Sequence, residues 1–147
     1  MTDKSAFSPE EWTVVLEGPP SAGMIVIMSA RGGMFRETIA MSKAYVEARA
    51  HHGESVLLDE IVAAKPKADH TRFHSFEELK EHGLGHLRDA VSLLEAKATP
   101  EEVEAYRRFV VTLSRKVAEA HREGGQSESP AETDAIAAIA TALGTTP

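Results

Sequence analysis

The 147 residues carry 23 acidic against 16 basic side chains, a formal net charge of −7 at neutral pH. A chain this acidic lacks the basic face that a general nucleic-acid or anionic-membrane binder needs, so neither partner is expected. It contains no cysteine, which excludes disulfides, thiolate zinc sites, iron–sulfur clusters and cysteine nucleophiles.

Aromatic residues make up 5% of the chain, while Ala, Val, Ile, Leu and Met dominate an apolar share of 42%. Ala has the highest helix propensity and is depleted in strands, so the expected fold is all-α. The length suits one domain, a bundle of about six to seven helices over residues 1–147, with 1–7 and 145–147 as flexible ends. Residues 1–11 have no signal-peptide pattern, and the longest apolar run, 22–28, is too short to span a bilayer. A cytoplasmic location is the expectation.

Helix starts are marked by capping boxes, in which a Ser or Thr at the N-cap and a Glu three residues on each satisfy an orphan backbone N–H. Ser8-Pro9-Glu10-Glu11, Thr99-Pro100-Glu101-Glu102 and Ser129-Pro130-Ala131-Glu132 combine the box with proline at the first helical position. Ser75-Phe76-Glu77-Glu78 has the box alone. The first helix is predicted over 9–17, stopped by Gly18-Pro19-Pro20. Residues 20–30 contain the run Met24-Ile25-Val26-Ile27-Met28, which a buried strand also produces. A buried helix is preferred there because nothing else in the chain offers a strand partner.

Arg31-Gly32-Gly33 reads as a tight turn, with a small anion-binding nest as the alternative. A helix over 34–51 follows, with Thr38, Met41, Tyr45 and Ala48 on one face and Phe35, Ile39 and Val46 widening it. A short helix spans 55–64, and 65–74 is a polar connection. The helix over 76–96 holds Gly83 and Gly85, each costing roughly 1 kcal/mol against Ala, which points to a kink or to close packing. Over 100–123, Val103, Tyr106, Val110, Leu113, Val117 and Ala120 step by threes and fours as a bundle seam. Gly124-Gly125 ends that helix, and the last runs over 130–143 to Gly144.

Six of the seven histidines fall between His51 and His86. His70 and His74 are four residues apart, as are His82 and His86, a spacing that on a helix lets two imidazoles bind one metal ion. Glu78 lies one turn before His82 and Asp89 follows His86, so the candidate divalent-metal ligands are His70, His74, Glu78, His82 and His86. The competing reading is a solvated polar face, since Glu78 already serves a capping box and neither a His-Glu-x-x-His nor a paired Glu-x-x-His motif is present. His51-His52 fits the negative end of a helix dipole. Gly83-Leu84-Gly85 follows no strand and is not a phosphate loop, and there is no Gly-x-Ser-x-Gly elbow. No catalytic residue is assigned, and no cofactor is expected apart from a divalent metal.

Two segments have related punctuation: Gly32-Gly33-Met34-Phe35-Arg36-Glu37-Thr38-Ile39, and Gly124-Gly125 leading to Ser129-Pro130-Ala131-Glu132-Thr133. Each is a glycine turn followed by a helix with Glu in its first turn. In this the chain resembles the tellurite-resistance TerB-like family, whose two helical halves each pair an Asp-Gly turn with a Glu-bearing helix. Its closing stretch, Ser129 to Gly144, is similar to that family's last helix. Where those proteins have an acidic residue before the glycine, this chain has Arg31 early and a glycine late, so only Glu37 and Glu132 carry over as ligand or ion residues. The run from Ser8-Pro9-Glu10-Glu11-Trp12 through Glu119-Ala120-His121-Arg122-Glu123 to that ending also resembles a group of uncharacterised bacterial helical proteins, which brings no activity with it.

The function expected is a non-enzymatic helical binding or stress-associated protein, with a groove between helices for a small ligand or partner. One alternative is a metal-binding protein or enzyme using the His70–His86 cluster. The other is a structural or assembly component that forms a homodimer or meets a protein partner through helix faces, the 103–120 seam continuing across the interface.

Overall fold

Local chemistry sets the helix starts. In a computed structural model of the protein, which describes residues 3–29, 35–50, 56–63, 75–123 and 130–145, the capping boxes close as the sequence requires. (The side chains of residues 35–38 and 121–123 are outside that description.) The Ser8 amide donates to Glu11 Oε1 at 2.8 Å, and the Glu11 amide to Ser8 Oγ at 3.2 Å. Thr99 and Glu102 repeat the exchange at 2.9 and 3.2 Å, and the Glu78 amide donates to Ser75 Oγ at 3.2 Å. After a 3-10 turn at Lys4–Ala6, the helices are α1 Pro9–Ser29, α2 Phe35–Ala50, α3 Val56–Ala63, α4 Phe76–Lys97, α5 Pro100–Glu123 and α6 Pro130–Leu143. There is no strand among the described residues, so the fold is an all-α bundle. No helix described is long and apolar enough to cross a membrane. The connections 30–34, 51–55, 64–74 and 124–129, with His51, His52 and Ser129, lie outside the described residues.

One boundary corrects the sequence reading. The helix expected to stop at Gly18-Pro19-Pro20 runs on as α1 to Ser29, absorbing the separate segment expected over 20–30. Proline has no N–H, so Pro19 and Pro20 leave the carbonyls of Val15 and Leu16 without their helix donors. The Val15 carbonyl is satisfied from another helix: the buried Tyr106 hydroxyl of α5 donates to it at 2.8 Å. Gly18 makes this approach possible, because a Cβ there would overlap the Tyr106 hydroxyl. Beyond the prolines, Ala22 to Ile27 are all buried, and α1 packs against α2, α4, α5 and α6. The apolar run that fits either a strand or a helix is thus a central helix.

Gly83 and Gly85 do not break α4. Gly83 lets α4 approach α1, where a Cβ would lie 2.7 Å from Ile25 Cδ1, whereas nothing lies within 4 Å of a Cβ at Gly85. The seam on α5 is core: Val103, Tyr106, Val110, Leu113, Val117 and Ala120 are all buried against neighbouring helices. None of it is left to continue across a dimer interface. The α6 terminus closes with Gly144 at φ +80, the Gly144 amide bonding Thr141 O at 3.1 Å and the Thr145 amide bonding Ala140 O at 2.9 Å. Arg107 Nε adds a 2.6 Å bond to Leu143 O.

Helix α2 presents the expected Met41–Tyr45–Ala48 face to the core but is not widened on the side expected. Met41, Ala44 and Tyr45 are buried, the Tyr45 ring edge-on to Phe109 of α5 with centroids 5.3 Å apart. Ile39 and Val46, expected to widen the core face, are 39% and 57% exposed. The small side chains of Ala44 and Ala48 face α5.

Candidate functional site: the groove between α2 and α5

The histidine stripe is only partly within the described residues. His70 and His74 lie outside them, while Glu78, His82 and His86 stand on successive turns of α4. The His82 and His86 rings are 6.5 Å apart between centroids. His86 Nε2 faces Glu17 Oε2 of α1 at 3.7 Å, and its Nδ1 is buried with no hydrogen-bond partner. Asp89 is exposed on the next turn. Among the described residues no three His, Asp or Glu side chains come together in a way that could hold a metal ion. Glu17 is the contact the sequence pattern did not signal, because it comes from another helix.

Of the two glutamates named by resemblance, the Glu37 side chain is outside the described residues. Glu132 has no exposed surface. It occupies the same first-turn position in α6 that Glu102, also buried, holds in α5, where the carboxylate accepts the N-cap amide.

Among the described residues, surface cavities lie along α2. Ala40, Ala44 and Ala48 recur at every fourth residue and leave a trough between α2 and α5. An ion pair between Glu47 of α2 and Lys116 of α5 bridges this trough and divides it. On one side is a cavity of about 470 Å³ lined by Ile39, Ala40, Lys43, Glu119 and Ala120. On the other, the lower half, is one of about 330 Å³, floored by Ala44, Ala48, Leu58, Ala105 and Phe109, with Arg108 and Thr112 on its rim. Both halves share Glu47 and Lys116.

The charges are distributed unlike those of the whole chain. Among the described residues, Lys43, Arg108 and Lys116 line the groove against Glu47 and Glu119, so cations outnumber acids by one in a protein of net charge −7. Lys116 is paired with Glu47, whereas Lys43 and Arg108 form no ion pair or hydrogen bond among the described residues. Neighbouring Arg107 is fully committed, to Leu143 O, to Glu95 at 2.8 Å and to Glu104 at 3.6 Å. Ammonium, guanidinium and hydroxyl groups above an apolar floor equip the groove to bind and orient a molecule. Among the described residues, no histidine lines either half.

Comparison of the chain with protein-family models, with curated proteins and with solved structures finds no match in any of the three.

Proposed function

We propose that this is a non-enzymatic helical binding protein of the cytoplasm whose ligand lies in the α2–α5 groove. The observation that carries this reading is the pair of cavities flanking the Glu47–Lys116 bridge, with Lys43 and Arg108 left over as cations. Ligand sites combine an apolar lining with a few placed polar groups, and the lower half of the groove has both. The likeness to TerB-like proteins adds a stress-associated setting to the proposal. The test is a small-molecule fragment screen on the isotope-labelled chain, followed by amide shifts. Binders are expected to shift Ala44, Ala48, Phe109 and Thr112; binders that map only to His82 and His86, or a screen with none, would overturn it.

A second reading has its own support. Ile39 and Val46 lie two turns apart on the outer side of α2 and are exposed, as a self-association stripe would be. Sedimentation should then show a dimer that Val46→Lys dissociates, and a monomer at every concentration rules it out.

A further inference from the structure

We propose that the lower half of the groove takes a small amphipathic monocarboxylate, its acid group on Arg108 and Lys116 and its apolar tail over Phe109, Ala48 and Leu58. This rests on the groove being the binding surface, and it names the ligand class. The apolar floor calls for a hydrocarbon part. The rim calls for an anion: Arg108 has a planar fork of donors, matched to the two oxygens of a carboxylate, with no partner among the described residues. Lys116 stands two turns along the same edge of α5, with the Thr112 hydroxyl between them.

Size and charge narrow the class further. A cavity of about 330 Å³ is at the small end for ligand sites and suits a short chain or one ring. Among the described residues Glu47 is the one acid lining this half, and its charge beside Lys116 opposes a second negative charge on the ligand. A monoanion is therefore favoured over a phosphate dianion. The ligand carboxylate also competes with Glu47 for Lys116, so Glu47 limits affinity.

The experiment titrates octanoate, octanol, octylammonium and acetate into the isotope-labelled full chain at neutral pH, following the Ala48, Phe109 and Thr112 amides. Octanoate is expected to bind about tenfold more tightly than octanol, one charge-assisted contact's worth, with octylammonium weakest of the eight-carbon probes. Arg108→Gln should lower octanoate to the octanol level without changing octanol. Glu47→Gln should strengthen octanoate by roughly two- to fivefold by releasing Lys116. Arg88→Gln, at an exposed position on α4, should change neither. Equal binding of octanoate and octanol, or octanoate binding indifferent to Arg108→Gln, overturns the carboxylate assignment and leaves the groove standing as a binding surface. If no probe, octanol included, shifts these amides, the assignment and the groove reading both fall.

Discussion

The Tyr106 hydroxyl, 91 residues away in sequence, donates the hydrogen bond that Pro19 denies to the Val15 carbonyl. The bond is buried, so removing the donor leaves an unsatisfied acceptor where water does not reach. Tyr106→Phe is expected to cost about 1–3 kcal/mol in urea unfolding. Pro19→Ala restores a backbone N–H to compete for the same carbonyl, so the cost of Tyr106→Phe should shrink in that background. A double-mutant cycle measures the difference, and additive effects would mean that the two residues are not coupled through Val15.

Burial pushes the Tyr45 and Tyr106 phenols well above the ordinary tyrosine value of 10.0. The sign follows from proton counts. Above pH 10 the unfolded chain loses phenolic protons that the folded chain keeps, so stability is full below that pH and falls as pH rises. Each tyrosine should contribute a loss approaching about 1.4 kcal/mol per pH unit. Urea midpoints above pH 10 should therefore fall with a slope that Tyr45→Phe and Tyr106→Phe each reduce.

The helix glycines separate into those that admit a neighbour and one that does not. Gly18→Ala drives a methyl group into the Tyr106 hydroxyl and should destabilise by roughly 1–3 kcal/mol. Gly85→Ala meets nothing within 4 Å and should stabilise by up to about 1 kcal/mol through helix propensity. Thermal unfolding of the two variants checks the opposite signs.

Lys97 ties the end of α4 to the start of the chain, donating to Glu11 Oε1 at 2.8 Å and to Ala6 O at 3.0 Å. The Lys97 bond, with the Ser8 amide second, holds the Glu11 carboxyl below its ordinary value of 4.5. A carboxylate so lowered contributes stability above that value and loses it as pH falls toward the folded-state pKa. Lys97→Met should therefore weaken the decline in stability below pH 4.5, and a decline as steep as before would assign it to other carboxylates.

Local sequence encodes some of these features and not others. Capping boxes at Ser8, Ser75 and Thr99 are chemistry within four residues, and the helices begin where they indicate. The strict periodicity of α5 and the glycine after α6 likewise gave both helices their observed spans. The fusion of α1 through Pro19-Pro20 was not legible, because its replacement donor comes from α5. The main face of α2 was legible at Met41 and Tyr45, but its width was not, because Ile39 and Val46 lie exposed. The groove was hardest to read, since it consists of volume missing at Ala40, Ala44 and Ala48 and of cations about 65 residues farther along. A four-residue alanine repeat was its only trace in the sequence.

The most direct test of the groove is to fill it. Ala48 lines the lower cavity, and Ala48→Phe places a ring in the space of about 330 Å³ that the account assigns to the ligand. Octanoate binding should fall by at least about tenfold in the folded variant, as expected when the apolar floor is covered. Octanoate bound as tightly to folded Ala48→Phe as to the natural chain would contradict the groove as the site.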